Sequence, residues 1–200
     1  MEQARNDLLE FWFGSLDDDA ATARQKADLW WGKDPQTDEH LASLYGQLVS
    51  AAEGGVLDHW TGSPRGRLAL ILLLDQLPRA IHRGTPRAFA GDPKALRVAR
   101  QGLASDADRL LRPVERVFFY MPFEHSEELE DQEQSVRLFS ELAGSVREAW
   151  RDTFEGFLDY AVRHRDIIAR FGRFPHRNEI LDRQSTPEEL EFLKQEGSRF

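Results

Sequence analysis

The sequence predicts an all-α fold, and three observations carry that prediction. Proline follows a capping residue at Asp34-Pro35, Ser63-Pro64, Asp92-Pro93 and Thr186-Pro187, and Glu189 completes a capping box at the last of these. Between these starts the apolar residues recur at spacings of three and four, while β-branched residues are too scattered to build strands. The connections are short, so consecutive helices should pack as antiparallel hairpins.

Helices are expected near 4–13, 20–31, 36–52, 64–77, 93–104, 113–121, 126–143, 146–171 and 187–197. The first carries Phe11, Trp12 and Phe13, which should pack onto the second through Trp30 and Trp31, because so many bulky aromatics cannot all stay wet. The third begins behind Asp34-Pro35. The fourth, 64–77, is apolar all round over its middle and must be the buried central helix. Pro78 should force Leu77 out of helical geometry and end that run. The remaining helices follow Asp92-Pro93, Pro113, Ser126, Val146 and Thr186-Pro187. No repeat of about 34 or about 40 residues is visible, so periodicity alone does not make a solenoid.

Residues 1–200 suit one domain with a sizeable core, and no Pro/Gly/Ser-rich linker divides them. A net charge of -9 argues against a nucleic-acid partner. Without cysteine there are no disulfides or thiolate metal ligands, and no cofactor or metal is implied. The longest apolar run, Leu68 to Leu74, is far short of the roughly 20 residues of a membrane span, and the N-terminus lacks the shape of a signal peptide. A cytoplasmic protein is expected. Its basic charge rests on 22 arginines against 4 lysines, a bias that often reflects genomic base composition and can also serve bidentate anion recognition.

Polar residues interrupt the apolar faces at three places. On the helix from 146, His164 falls in the stripe Trp150, Phe154, Phe157, Ala161, Ile168 and Phe171, so it points inward. On the helix from 126, Gln132 interrupts Leu129, Val136, Phe139 and Ala143 in the same way, and the face carried backward reaches Glu128 and His125. Asp75 and Arg79 close the central helix, where a simple intrahelical ion pair is the plain alternative. Burying such groups without partners costs a few kcal/mol each, a cost that a shared pocket removes. Two charged segments frame these positions. Tyr120 to Glu133 holds six acids, Glu124 among them, and Arg163 to Asn178 holds five arginines and two histidines. Arg170, Arg173, His176 and Arg177 straddle the break at Gly172 and Pro175, where arginine forks can grip a carboxylate or phosphate, cap helix carbonyls or neutralise the acids. Nucleophile elbows, phosphate-binding loops, dinucleotide glycine patterns and zinc-protease motifs are missing.

Five strings carry a family resemblance: Leu9-Glu10-Phe11-Trp12-Phe13-Gly14, the Trp30-Trp31 pair, Leu73 to Arg79, Phe118 to Glu127, and Arg170 to Asn178. Together they resemble the signature blocks of the bacterial family of unknown function DUF924. The resemblance implies a TPR-like arrangement of helical hairpins and no particular activity. The chain departs from it at Ala80, where the family often has Asn, and at Asp182, where Gly is frequent.

Three readings follow. The first is a polar pocket of Asp75, Arg79, Glu124, Gln132, Arg170, Arg173, His176, Arg177 and Asn178 that binds a small anionic or zwitterionic ligand. The second is a hydrolase-type enzyme using His125 or His164 as general base beside Glu128. The third is an interaction module whose hairpins bind a peptide, with the polar cluster as an internal lock. The sequence leaves the oligomeric state and the reaction open.

Overall fold

The computed structural model describes residues 2–198, and among them there is no β-strand. Ten α-helices follow in order: α1 Glu2–Phe13, α2 Asp19–Trp31, α3 Pro35–Glu53, α4 Pro64–Ile71, α5 Leu77–Ile81, α6 Asp92–Leu103, α7 Pro113–Glu124, α8 Leu129–Ser145, α9 Arg151–Phe171 and α10 Pro187–Phe192. Asp34 and Ser63 cap as expected, accepting from the amides of Thr37 and Gly66. Thr186 and Glu189 form the expected capping box. Asp92 does not cap: Gly91 takes that position, and the Asp92 carboxylate turns elsewhere.

The residues Leu68 to Leu74 are completely buried, which makes this segment the axis of the core. Around it pack α1, α3, α6 and α7, with the long α8–α9 hairpin laid along α7. Phe13 meets Trp30 edge-on, and the Trp30 indole donates to the carbonyl of Trp12 at 3.0 Å, so α1 is fastened to α2 through these aromatics. Phe11 turns instead toward His40 and Tyr45.

Pro78 does not end the central run. The chain widens into a π-turn over Leu72–Gln76, Leu77 stays helical at φ -61°, ψ -38°, and α5 continues through the proline. The physical reason is the missing amide. In a regular helix residue 78 would donate to the Leu74 carbonyl, and Pro78 cannot. The π-turn redirects the Leu77 amide to Leu72, and the backbone of Gly91 closes over Leu74 so tightly that a Cβ there would lie 2.1 Å from its oxygen. Pro122 is likewise absorbed, so α7 runs to Glu124. The next helix begins at Leu129, later than expected, which leaves His125 as the C-cap of α7. The expected helix from 146 opens as a 3-10 turn over Glu148–Trp150, and the terminal helix stops at Phe192.

Leu70→Ala should cost about 2–5 kcal/mol in chemical denaturation, because the rigid surroundings cannot collapse into the space. Leu44→Ala, on an exposed side chain, should change stability by less than about 0.5 kcal/mol. Gly91→Ala should destabilise by at least about 1–3 kcal/mol, since the added methyl meets a backbone oxygen that cannot rotate away. A Gly91→Ala protein with the parent's denaturation midpoint would contradict that close approach.

Candidate functional site

The π-turn, the end of α7, the middle of α9 and the turn after it converge on one buried polar cluster. Asp75 is fully buried, and its Oδ1 lies 2.7 Å from Nδ1 of His125. Its other oxygen accepts from the Gln76 amide at 2.6 Å. Burial would raise the Asp75 carboxyl, but Arg79 and His125 outweigh it and hold the group below the usual carboxylate range. An ionised acceptor at Nδ1 means that Nδ1 carries the hydrogen, so His125 presents a basic Nε2. Burial, reinforced by Arg79 and opposed by Asp75, pushes His125 down and keeps it neutral at pH 7.

Arg79 donates to the Asp75 carbonyl and forks onto both oxygens of Asp92, each at 3.0 Å. This is more than the plain i,i+4 pair: Arg79 spans two carboxylates on different elements. Arg177 reaches in from the turn after α9, donating to the His125 carbonyl at 3.1 Å and lying 3.6 Å from Asp92. Its guanidinium sits between the rings of Phe89 and Phe174, 4.8 and 4.4 Å from their centroids. Burial and the neighbouring Arg79 lower it to about 10.

His164 does point inward. Its Nδ1 donates to the Tyr160 carbonyl at 2.8 Å, which fixes the tautomer, and the ring lies 6.2 Å from that of His125 and 5.5 Å from Phe174. Glu124 Oε1 lies 3.1 Å from the same Nδ1. Burial, with the Asp75 charge beside it, pushes Glu124 up to about 8, and burial drives His164 well below its usual value. At neutral pH this contact therefore joins two uncharged groups and is no ion pair. His176, held at about 3 by burial and Arg177, is neutral as well.

The other expected site residues fall outside the cluster. Glu128 does not share the inward face: it is exposed at the start of α8, because that helix begins later than the periodicity suggested, and Glu124 takes the inner place. Gln132 is buried, but its amide is spent on the carbonyls of Glu124 and Ser126, at 2.6 and 2.7 Å, where it satisfies the end of α7. Arg170 pairs with Glu188, and Arg173 forks onto Glu189 at 2.6 and 2.7 Å. Asn178 binds Ser185 and accepts from Arg183. These three fasten the C-terminal turn to itself and to α10. Of the arginines at 163–178, Arg165 alone forms an ion pair with the acids at 124–133, Glu133 at 4.0 Å, while Glu127 pairs with Arg183 from beyond that segment.

Sequence reading did not find Asp92, whose Asp-Pro pair signals a cap, nor Glu127, Arg183 and Phe174, whose partners lie far away in the chain. Among the described residues no group of three or more His, Asp or Glu is placed to hold a metal ion, and no helix is long and apolar enough to cross a membrane.

The neutral groups make a pH prediction. The three lowered histidines bind protons more readily when unfolded, so below about pH 6.5 they make stability rise with pH. Above that, Glu124 opposes them. It keeps its proton to about 8 in the fold but loses it near 4.5 when unfolded, so its contribution to stability should fall as pH rises. Between pH 6.5 and pH 8 Glu124 should contribute a fall of about 1–2 kcal/mol, offset in part by the last of the histidine titration, so in urea unfolding stability should climb more steeply with pH in Glu124→Gln than in the parent. An equal slope in parent and variant would mean that Glu124 is ionised in the fold.

The comparisons with known proteins agree with this architecture. The family model described as "Bacterial protein of unknown function (DUF924)" matches residues 8–197. The solved structure of the protein of unknown function ATU0120 from Agrobacterium tumefaciens is 36% identical and superimposes with a TM-score of 0.82, covering 96% of this chain and 98% of that one. No curated protein matches. With the family blocks present and the match spanning nearly every described residue, the chain belongs to the DUF924 family.

Proposed function

We propose that the buried cluster is a small-ligand site in a cytoplasmic protein, with His125 as its proton acceptor and neither nucleic acid nor membrane as partner. The observation that carries this reading is the Asp75–His125 hydrogen bond at 2.7 Å, which fixes one imidazole tautomer and leaves Nε2 basic. A carboxylate that orients a neutral histidine is the arrangement that general-base catalysis uses. The charge balance narrows the ligand. Arg79 and Arg177 are matched by Asp75 and Asp92, while Glu124, His125, His164 and His176 are neutral, so there is no surplus positive charge for a full anion. A zwitterion, whose carboxylate faces the arginines and whose ammonium faces Asp92, fits better. The hydrolase-type reading follows where such a ligand carries an ester or amide bond within reach of His125.

One observation favours the rival reading of an internal lock: nearly every charged group in the cluster already has a partner within the protein. The interaction-module reading would then depend on the helical surfaces and leave the cluster inert.

A thermal-shift screen of free amino acids, their esters and amides, and small dipeptides separates these readings. A ligand at about 100 times its Kd should add roughly 2.7 kcal/mol to the unfolding free energy. That gain should be lost in Asp75→Asn, in which the His125 tautomer is no longer enforced, and kept in Leu44→Ala, on an exposed side chain of α3. If no compound of these classes shifts the midpoint, or if the shift survives Asp75→Asn unchanged, the ligand-site reading fails and the lock remains.

A further inference from the structure

The cluster is closed to solvent by a segment that is fastened to the rest of the protein in a different way from the helices beneath it. Phe174, at its start, is fully buried and covers His164. Its apolar companions are Ile167, Ile168, Phe171 and Phe192, a small group separate from the main core. Besides the deep bond from Arg177 to the His125 carbonyl, what ties the segment to the α7–α8 corner at the rim is the Glu127 carboxylate. Glu127 accepts from the Phe174 amide at 2.9 Å and receives both nitrogens of the Arg183 fork at 2.6 and 2.9 Å, while Arg183 also donates to the Phe174 carbonyl. Glu127 and Arg183 are each about a quarter exposed, so water can compete for the pair. At the other end of this turn Asp182 adopts φ 54°, and before it Gly172 ends α9 at φ 67° with open space around its Cβ position. The segment therefore begins at a left-handed glycine, rests on its own small apolar group and is held by an ion pair at the rim.

It also supplies part of the site. Arg177 and His176 belong to it, and Arg177 is its deepest polar anchor, reaching His125 and Asp92. We propose that residues Gly172–Ser198 form a strap, latched by Glu127 to Arg183, that swings about Gly172 to admit a ligand to His125 and His164 and, on closing, places Arg177 over it. This deepens the ligand-site reading, because a closed cluster can serve a ligand only if something opens. The structure offers one cover with its own apolar seat. Opening lifts Phe174 from His164 and withdraws Arg177 from Asp92, so ligand carboxylate and Asp92 would share the two arginines on closure.

The strap is testable without any ligand. In the parent protein, amide hydrogen exchange over 173–186 should proceed by a local opening that is nearly independent of low urea concentrations, at a rate at least tenfold above that of 68–74, which should exchange only through global unfolding. Diethyl pyrocarbonate, which acylates neutral imidazole, should modify His125 and His164 slowly in the parent. In Glu127→Ala it should modify them at least fivefold faster, with exchange over 68–74 unchanged. Phe174→Ala is the second variant: it leaves the latch in place and should raise His164 modification on its own. The strap is overturned if 173–186 and 68–74 exchange together in the parent, or if both variants leave the histidine rates unchanged. Should the screen find no ligand while these rates rise, the strap stands and the ligand-site reading falls; a ligand bound without local exchange reverses that outcome.

Discussion

The junction of Pro78, the π-turn and Gly91 is the constraint on which the rest depends. A helix that is apolar all round has no choice but to be the axis, and an axis buried on every side has no water to satisfy a broken backbone bond. Pro78 breaks one by removing a donor. The chain answers with a wider turn from Leu72 to Gln76 and with the bare backbone of Gly91 pressed against Leu74. Both answers position the polar cluster. The wide turn carries Asp75 and Gln76, and Gly91 sets the next residue, Asp92, within reach of Arg79.

Around that junction the energetics are those of buried charge. Arginine and carboxylate can be taken from water only when paired and hydrogen-bonded, and here each guanidinium meets carboxylates or carbonyls, with two aromatic rings flanking that of Arg177. A third buried carboxyl would upset the balance, which is why Glu124 keeps its proton. The same argument keeps the histidines neutral, and neutrality is what makes His125 a base. A structural demand for charge balance and a chemical capacity for proton transfer therefore arise from one arrangement.

The C-terminal segment shows how a fold can close a site without extending its core. Its apolar seat is small, and much of its attachment is ionic: Arg170 to Glu188, Arg173 to Glu189 and Arg183 to Glu127. Glu189, lowered to about 2 chiefly by the Arg173 hydrogen bond, serves this attachment and the Thr186 capping box at once. Such groups order a segment through direction more than through buried area. The left-handed Asp182 shows the same: the resemblance predicts glycine there, and the turn is made nonetheless.

Local chemistry made much of this legible from the residues alone. Helical periodicity marked the all-α fold and the central axis, proline behind a capping side chain marked four starts of which three cap as read, and an interrupted stripe marked His164 as inward. The convergence of Asp75, His125 and His164 follows from the same reasoning, because polar groups that break apolar faces are buried most cheaply together. Two classes of fact lay beyond it. Helix ends near proline depend on whether the chain can widen into a π-turn and whether distant backbone, here Gly91, can approach closely enough, so Pro78 read as a break where the helix continues. Side-chain partners depend on three-dimensional proximity, so Asp92 looked like a cap, Glu128 like a pocket wall and Arg173 like an anion clamp, while their positions were decided by Arg79, by the late start of α8 and by Glu189. Hydrophobic pattern and turn chemistry act over a few residues and are written in the sequence; which charge neutralises which is a sum over the folded whole, and only the tertiary structure carries it.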